Sequence, residues 1–268
     1  MEELYKLGWF SSGRGEGSRN LFYTAWNAMT KGIIKAEFSF VFCNRAPGEH
    51  KGSDEFMKLV KRHNIPLICV SSNSYREKYP DDWRPRFEEE VMQKIDGYEF
   101  DLGVLAGYML IIGEEMCKRY SIINLHPAKP GGPKGTWQEV IWELMDSRAK
   151  ESGAMMHLVT PALDEGPPAS YCTFSIRGKA FDKYWKELKV LTTHQIQKQE
   201  GENNPLFMQI RRHGAERELP LIIATIKAFS EGKVRIEGDE IVNSRGKPIK
   251  GYNLTKEVDK KVKGILSE

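Results

Sequence analysis

Over roughly the first hundred residues, short runs of β-forming residues alternate with longer stretches of helical period, a pattern that restricts the chain to a parallel sheet covered by helices. Lys6 to Ser11 reads as a strand, the Gly-rich stretch Ser12 to Arg19 as a turn, and Asn20 to Thr30 as a helix with Leu21, Ala25 and Ala28 on one face. Phe38 to Cys43, Pro66 to Val70 and Leu102 to Tyr108 read as further strands. Ser53 is placed to cap a helix running to His63, and Arg84 to Ile95 resumes a helical pattern. Ile122 to Leu125 is a short apolar run between polar flanks, as an inner strand of such a sheet requires. The expectation is an open, mostly parallel, Rossmann-like α/β sheet with helices on both faces.

After that inner strand comes a segment that regular structure cannot accommodate. His126 to Thr136 contains Pro127, Pro130, Gly131, Gly132, Pro133 and Gly135, and reads as a mobile lid or a shaped binding loop. Trp137 to Ser147 returns to helical period, and the strands Ala154 to Thr160 and Ala169 to Ile176 complete the sheet. Phe181 to Gln199 and Leu206 to Ser230 read as two long helices, and Val234 to Val242 as a terminal hairpin. No Ser/Gly linker separates the two parts, so residues 1–176 form the core and residues 177–268 an extension packed on it, not an independent domain.

Composition narrows the functional classes. A formal charge of +3 is too mild for nucleic-acid binding, and the run Lys256 to Lys263 reads as a solvated helix or frayed end. No apolar run approaches the roughly 18 residues of a bilayer span, and the N-terminus lacks the basic and apolar regions of a secretory signal, so a cytoplasmic protein without membrane contact is expected. Cys43, Cys69, Cys117 and Cys172 include no CxxC pair, and neither a metal site nor a disulfide framework is expected.

Two stretches carry chemistry. Gly13-Arg14-Gly15-Glu16-Gly17-Ser18 follows the first strand and allows backbone N–H groups to face an anion at the next helix N-terminus, with Arg14 and Arg19 nearby; the alternative is a plain tight turn. It lacks the GxGxxG order, and the second strand ends in Cys43-Asn44-Arg45 without an acidic residue, which argues against NAD. Asn124 and His126 lie two residues apart at the end of an inner strand, so their side chains leave on one side, toward the crevice beyond the strand ends. An amide donor and a charged imidazole suit an oxygen gaining negative charge. Asp164, after another strand end, is placed to raise the His126 pKa, orient its ring and relay a proton; the alternative for each is a structural role.

These segments, in order, resemble the folate-dependent formyltransferases, and within them the branch acting on glycinamide ribonucleotide in purine synthesis. The resemblance rests on Ser12 to Leu21, Phe42 to Arg45, Val104 to Met109, Ile123 to Pro127, Gly153 to His157, Val159-Thr160 and Leu163 to Pro167, covering roughly the first 176 residues, with Pro220 to Ile236 similar to the last helix and strand. It implies direct attack of a substrate amine on the formyl carbon of 10-formyltetrahydrofolate, with Asn124 and protonated His126 holding the oxyanion and Asp164 supporting proton transfer. It further implies a folate pocket of Leu105, Met109, Leu110, Ile111, Ile112, Val159, Thr160 and Leu163. The phosphorylated amine substrate would meet Gly13, Arg14, Gly15, Gly17, Ser18, Arg19, Asn20 and Pro127, in a monomer or homodimer. Leu110 and Glu165 stand where the family usually has arginine and glycine, and Ala128-Lys129-Pro130-Gly131 replaces its usual Ser-Leu-Leu-Pro. The altered loop motivates one alternative, a sugar-nucleotide N-formyltransferase; a non-catalytic folate- or nucleotide-binding protein is another, against which Asn124, His126 and Asp164 argue. A formylfolate hydrolase is a further relative, distinguished by an N-terminal regulatory domain that is not expected here because the first strand begins within about ten residues of Met1. Arg211, Arg212 and Arg217 are further candidates for a phosphate, or for a solvated face.

Overall fold

The computed structural model describes residues 3–188 and 192–265. In chain order the elements are β1 (Tyr5–Ser11), α1 (Glu16–Thr30), β2 (Ala36–Cys43), α2 (Lys51–Arg62), β3 (Leu67–Cys69), α3 (Ser72–Lys78), α4 (Trp83–Ile95), β4 (Leu102–Leu105), α5 (Glu114–Arg119) and β5 (Ile122–His126). They continue with α6 (Trp137–Asp146), β6 (Glu151–Leu158), β7 (Pro168–Ser175), α7 (Asp182–Glu187), α8 (Thr193–Gln199), α9 (Pro205–Ser230), β8 (Val234–Glu237), β9 (Glu240–Asn243), β10 (Tyr252–Asn253) and α10 (Thr255–Ile265).

One eight-stranded sheet runs in the order β10-β7-β6-β5-β4-β1-β2-β3, and β8 with β9 forms the separate hairpin. The pairings are parallel except those of β6 with β5 and β7, which fits the expected α/β architecture. Strand order reverses beside β1, which lies between β2 and β4, so a crevice opens beyond the carboxyl ends of these strands.

Period-two alternation divides the strands between two cores. Leu7, Trp9, Val41, Cys43, Val104 and Ile123 face the layer of α1, α2 and the second half of α9. Phe10, Phe40, Phe42, Leu105 and Ile122 face α4 and α5. A third cluster stands apart: Ala128, Val140, Leu144, Phe174, Trp185, Ile196, Phe207 and Ile210 join α6, α7, α8 and the first half of α9 beside the end of β7. The 26-residue α9 ties the clusters together, since Leu206, Phe207 and Ile210 enter the third and Leu221, Ile222 and Ile226 enter the first.

Several boundaries differ from the sequence reading. The first helix starts at Glu16, so the Gly-rich turn ends at Gly15 and not at Arg19. The β4 strand stops at Leu105, three residues before Tyr108, because the chain turns at Gly107. The cap of α2 is His50, whose side chain accepts from the Gly52 N–H, whereas the Ser53 hydroxyl donates to the Ser12 carbonyl. The single helix expected over Phe181 to Gln199 is two short ones, with Thr192 opening α8 through a capping box; residues 189–191 of that stretch lie outside the described residues. The sheet is not complete at Ile176, because β10 adds an edge parallel to β7. The basic tail is helical and not merely solvated, since Val258 and Val262 of α10 are buried. No helix among the described residues is long and apolar enough to cross a membrane.

Candidate active site

The end of β5 delivers Asn124 and His126 as its pleat requires, and the antiparallel register sets His157 of β6 directly opposite Asn124. His157 is buried, and its Nδ1 lies 3.0 Å from the Leu158 carbonyl. That oxygen can only accept, so Nδ1 carries the hydrogen and Nε2 accepts from Asn124 Nδ2 at 3.2 Å. An amide nitrogen has two hydrogens, and the second remains for a ligand. Asp164 joins from the turn after β6, with Oδ1 3.5 Å from His157 Nε2 and Oδ2 3.6 Å from His126 Nδ1.

Asp164 reaches both rings because its backbone is left-handed, with φ 53°. That conformation is tolerated by aspartate at a modest cost, and here it points the carboxylate back at the strand ends. Gly166, two residues on, lets the turn fold down, since a Cβ there would lie 1.7 Å from the Leu158 carbonyl. Burial pushes the Asp164 carboxyl up, but the neighbouring His157 and His126 rings and the Gly135 N–H together outweigh it and hold the pKa below its ordinary value.

His126 is only 2% exposed. Its Nε2 donates to the Pro133 carbonyl at 2.8 Å, which leaves Nδ1 as the nitrogen that titrates, facing Asp164. The sequence reading expected Asp164 to raise this pKa. Asp164 does act in that direction, but burial lowers the pKa and outweighs the raising effects of the Pro133 carbonyl and Asp164, with His157 adding to the fall, so the net shift is downward.

The residues expected around folate divide into two sets. Leu105 and Ile112 are buried core side chains, and Leu110 and Val159 pack against the same core. Met109, Ile111 and Leu163 are 66%, 38% and 53% exposed, three of the seven large exposed hydrophobics among the described residues; Met109 and Ile111 make an apolar lip just after β4, and Leu163 lies in the turn that carries Asp164. Thr160 is half-buried, its hydroxyl donating to the Ala162 carbonyl. Ser12 links this lip to the Gly-rich loop, its N–H donating to the Gly107 carbonyl and its hydroxyl accepting from the Met109 N–H.

In that loop Gly13 has φ 63°, and a Cβ there would lie 2.7 Å from Phe56, so both backbone and space demand glycine. Gly15 caps α1 without a side-chain bond, leaving first-turn N–H groups for water or an anion. Arg14, Gly17 and Asn20 are exposed around this end, and Glu16 adds a negative charge in the first turn. Ser18 is buried, with its hydroxyl committed to the Gly15 carbonyl. Arg19 turns away to α2, pairing with Glu55 at 3.2 Å. Pro127 is half-buried where the loop leaves β5. Arg211 and Arg212 pair with Glu218 and Glu216, and Arg217 with Asp259, so these three cations are engaged within the protein.

Sequence reasoning assigned no role to His157, Pro133 or Gly135. A histidine in the buried run Ala154-Met155-Met156-His157-Leu158 was the available signal, because a buried polar group needs a partner. The backbone groups of Pro133 and Gly135 carry no such mark. Among the described residues no group of three or more His, Cys, Asp and Glu side chains is placed to hold a metal ion.

Residues 13–177 match the family described as formyl transferase. A phosphoribosylglycinamide formyltransferase of Schizosaccharomyces pombe is 29% identical over 165 residues, 59% of this chain and 76% of that protein. A formyltetrahydrofolate deformylase of Bacillus subtilis is 30% identical over 148 residues, 53% of this chain but 42% of its own length. Matches to curated phosphoribosylglycinamide formyltransferases span from 43% to 76% of those proteins' lengths. The solved phosphoribosylglycinamide formyltransferase of Coxiella burnetii superposes with a TM-score of 0.67 over 94% of this chain and 99% of its own, at 22% identity, a likeness of fold.

Proposed function

The chain belongs to the formyl transferase family and is a folate-dependent enzyme, and on that premise we propose that it transfers the formyl group of 10-formyltetrahydrofolate to the amine of glycinamide ribonucleotide. The observation that carries this reading is the convergence of Asn124, His126, His157 and Asp164 at the strand ends, beside an exposed apolar lip. Met109, Ile111 and Leu163 suit the flat face of a reduced pterin, and the uncapped start of α1 with Arg14 suits an acceptor phosphate.

The bound folate supplies an activated formyl carbon and a leaving nitrogen. Asn124 offers its second amide hydrogen to the formyl oxygen, where negative charge develops as the amine attacks. His126, held neutral by burial, presents a bare Nδ1 that accepts the amine proton. Asp164 then stabilises the resulting imidazolium, which becomes a charged donor at that moment, and the proton passes on to the leaving nitrogen. The products are a formamide and the unformylated folate, so one proton moves from acceptor to folate and no covalent enzyme intermediate is required.

The test supplies purified protein with 10-formyltetrahydrofolate and, in separate reactions, glycinamide ribonucleotide, an amino-sugar nucleotide or no acceptor. Folate release matched by formylated ribonucleotide is expected. Transfer confined to the sugar nucleotide, or release of formate irrespective of acceptor, would replace this reading.

A further inference from the structure

Three consecutive residues of the loop between β5 and α6 reach back to the reacting cluster. The Pro133 carbonyl accepts from His126 Nε2 at 2.8 Å, the Lys134 ammonium pairs with Glu165 at 2.6 Å, and the Gly135 N–H donates to Asp164 Oδ2 at 3.2 Å. They therefore join the end of β5, which carries His126, to the turn after β6, which carries Asp164 and Glu165. Two of the contacts are made by backbone and act on the reacting pair itself. The third is made by side chains, one position along on each strand of the connection.

The geometry points to residues 133–135 as a strap that sets the spacing and ring orientation of His126 and Asp164, with Lys134 and Glu165 as positioning residues that hold it down. A loop built from prolines and glycines has no helical or sheet ladder of its own, so its closed form depends on such tethers. Lys134 and Glu165 are each more than half exposed, and a pair of that kind adds little to global stability. Its influence falls on the local balance between a strap that is down and one that has lifted. When the strap lifts, Nε2 of His126 loses the Pro133 carbonyl that fixes its tautomer, and the ring is hydrated. Its burial, which keeps Nδ1 available as a base, is lost with it.

The kinetic part of this inference rests on formyl transfer as the reaction; the structural part does not. Lys134→Glu and Glu165→Lys each place like charges together, and each is expected to lower kcat about three- to fivefold, the scale of an exposed ion pair. The KM for formylfolate and the thermal midpoint should stay near those of the parent. The double variant with the charges exchanged should recover most of kcat. Nitrogen-edited spectra of the His126 ring in ligand-free protein should show the Nε2–H form in the parent, a shifted signal in each single variant and its return in the exchanged pair. Unchanged ring signals and kcat in both single variants would overturn the strap, as would an exchanged pair no better than its singles. A parent protein that transfers no formyl group would remove the functional reading, while the ring signals still decide the strap.

Discussion

The wall of the crevice built by the strands β1, β2, β4, β5 and β6 and the wall built by residues 127–136 reach the same site by different means. The first is framed by extended strands whose aromatic side chains interlock, with Phe10 against Phe40 and Tyr108, and Phe42 against Phe87. The second is irregular chain seated on a smaller cluster, in which Phe207 of α9 meets Trp137 and Trp142 of α6. Strands place Asn124, His126 and His157, whereas the irregular wall reaches the His126 ring through the Pro133 carbonyl, which works against the lowering of its pKa by burial. A catalytic side chain can thus be positioned by one part of a fold and chemically tuned by another.

Removing an aromatic side chain from each wall is the strongest way to break the comparison. Phe40→Ala and Phe207→Ala should each destabilise by about 3–5 kcal/mol, the range for a fully buried Phe. Thermal denaturation should report similar losses, while kcat measured well below both midpoints should fall only in Phe207→Ala. Equal effects of both on kcat would mean that the walls do not divide the work.

Within the strand-built wall, Asn124→Ala should lower turnover by about 10²- to 10³-fold, as for loss of one oxyanion donor, with folate affinity nearly unchanged by equilibrium titration. His157→Ala should have a smaller effect of the same kind, because it removes only the acceptor that orients the amide.

The pH dependence of stability separates the walls again. His126 and Asp164 both have pKa values held below their ordinary ones, so the folded chain binds these protons less readily than the unfolded chain. Stability from His126 is therefore present above the ordinary imidazole value of 6.5 and is lost as pH falls through its lower folded value. Asp164 contributes in the same sense, with its loss beginning near 3.8. Denaturant titrations at pH 7 and pH 5 should give a smaller difference for His126→Gln than for the parent. An unchanged difference would remove burial as the cause of the shift.

The smallest effect concerns the Gly-rich loop. Arg14→Ala should raise the KM for the phosphorylated acceptor about two- to fivefold, the scale of an exposed charge pair, with no change for folate. Arg19→Ala should do less, because Glu55 already holds that guanidinium.

The division between walls also explains what was legible in the sequence. Residues in strands declared themselves: the apolar runs located β1, β2, β4 and β5, and spacing two along β5 put Asn124 and His126 on one side. The apolar lip was legible only through resemblance, and there Leu105 and Ile112 proved to be core, because alternation along a strand end assigns faces but not depth. Antiparallel register between β5 and β6 left no local trace, so the His157 partnership was missed. Contacts made by the Pro133 carbonyl and the Gly135 N–H were illegible for a deeper reason, since every residue but proline carries both groups and only tertiary structure selects among them. The same limit hid the reversed sign at His126: its neighbour Asp164 could be read along the chain, but its burial could not.

The most direct test of the account is a double-mutant cycle between His126 and Asp164 in formyl transfer. If the imidazole and carboxylate act as one proton-handling unit, His126→Ala combined with Asp164→Asn should be no slower than the slower single variant. Losses that multiply in full would show the two side chains working independently and would contradict the site described.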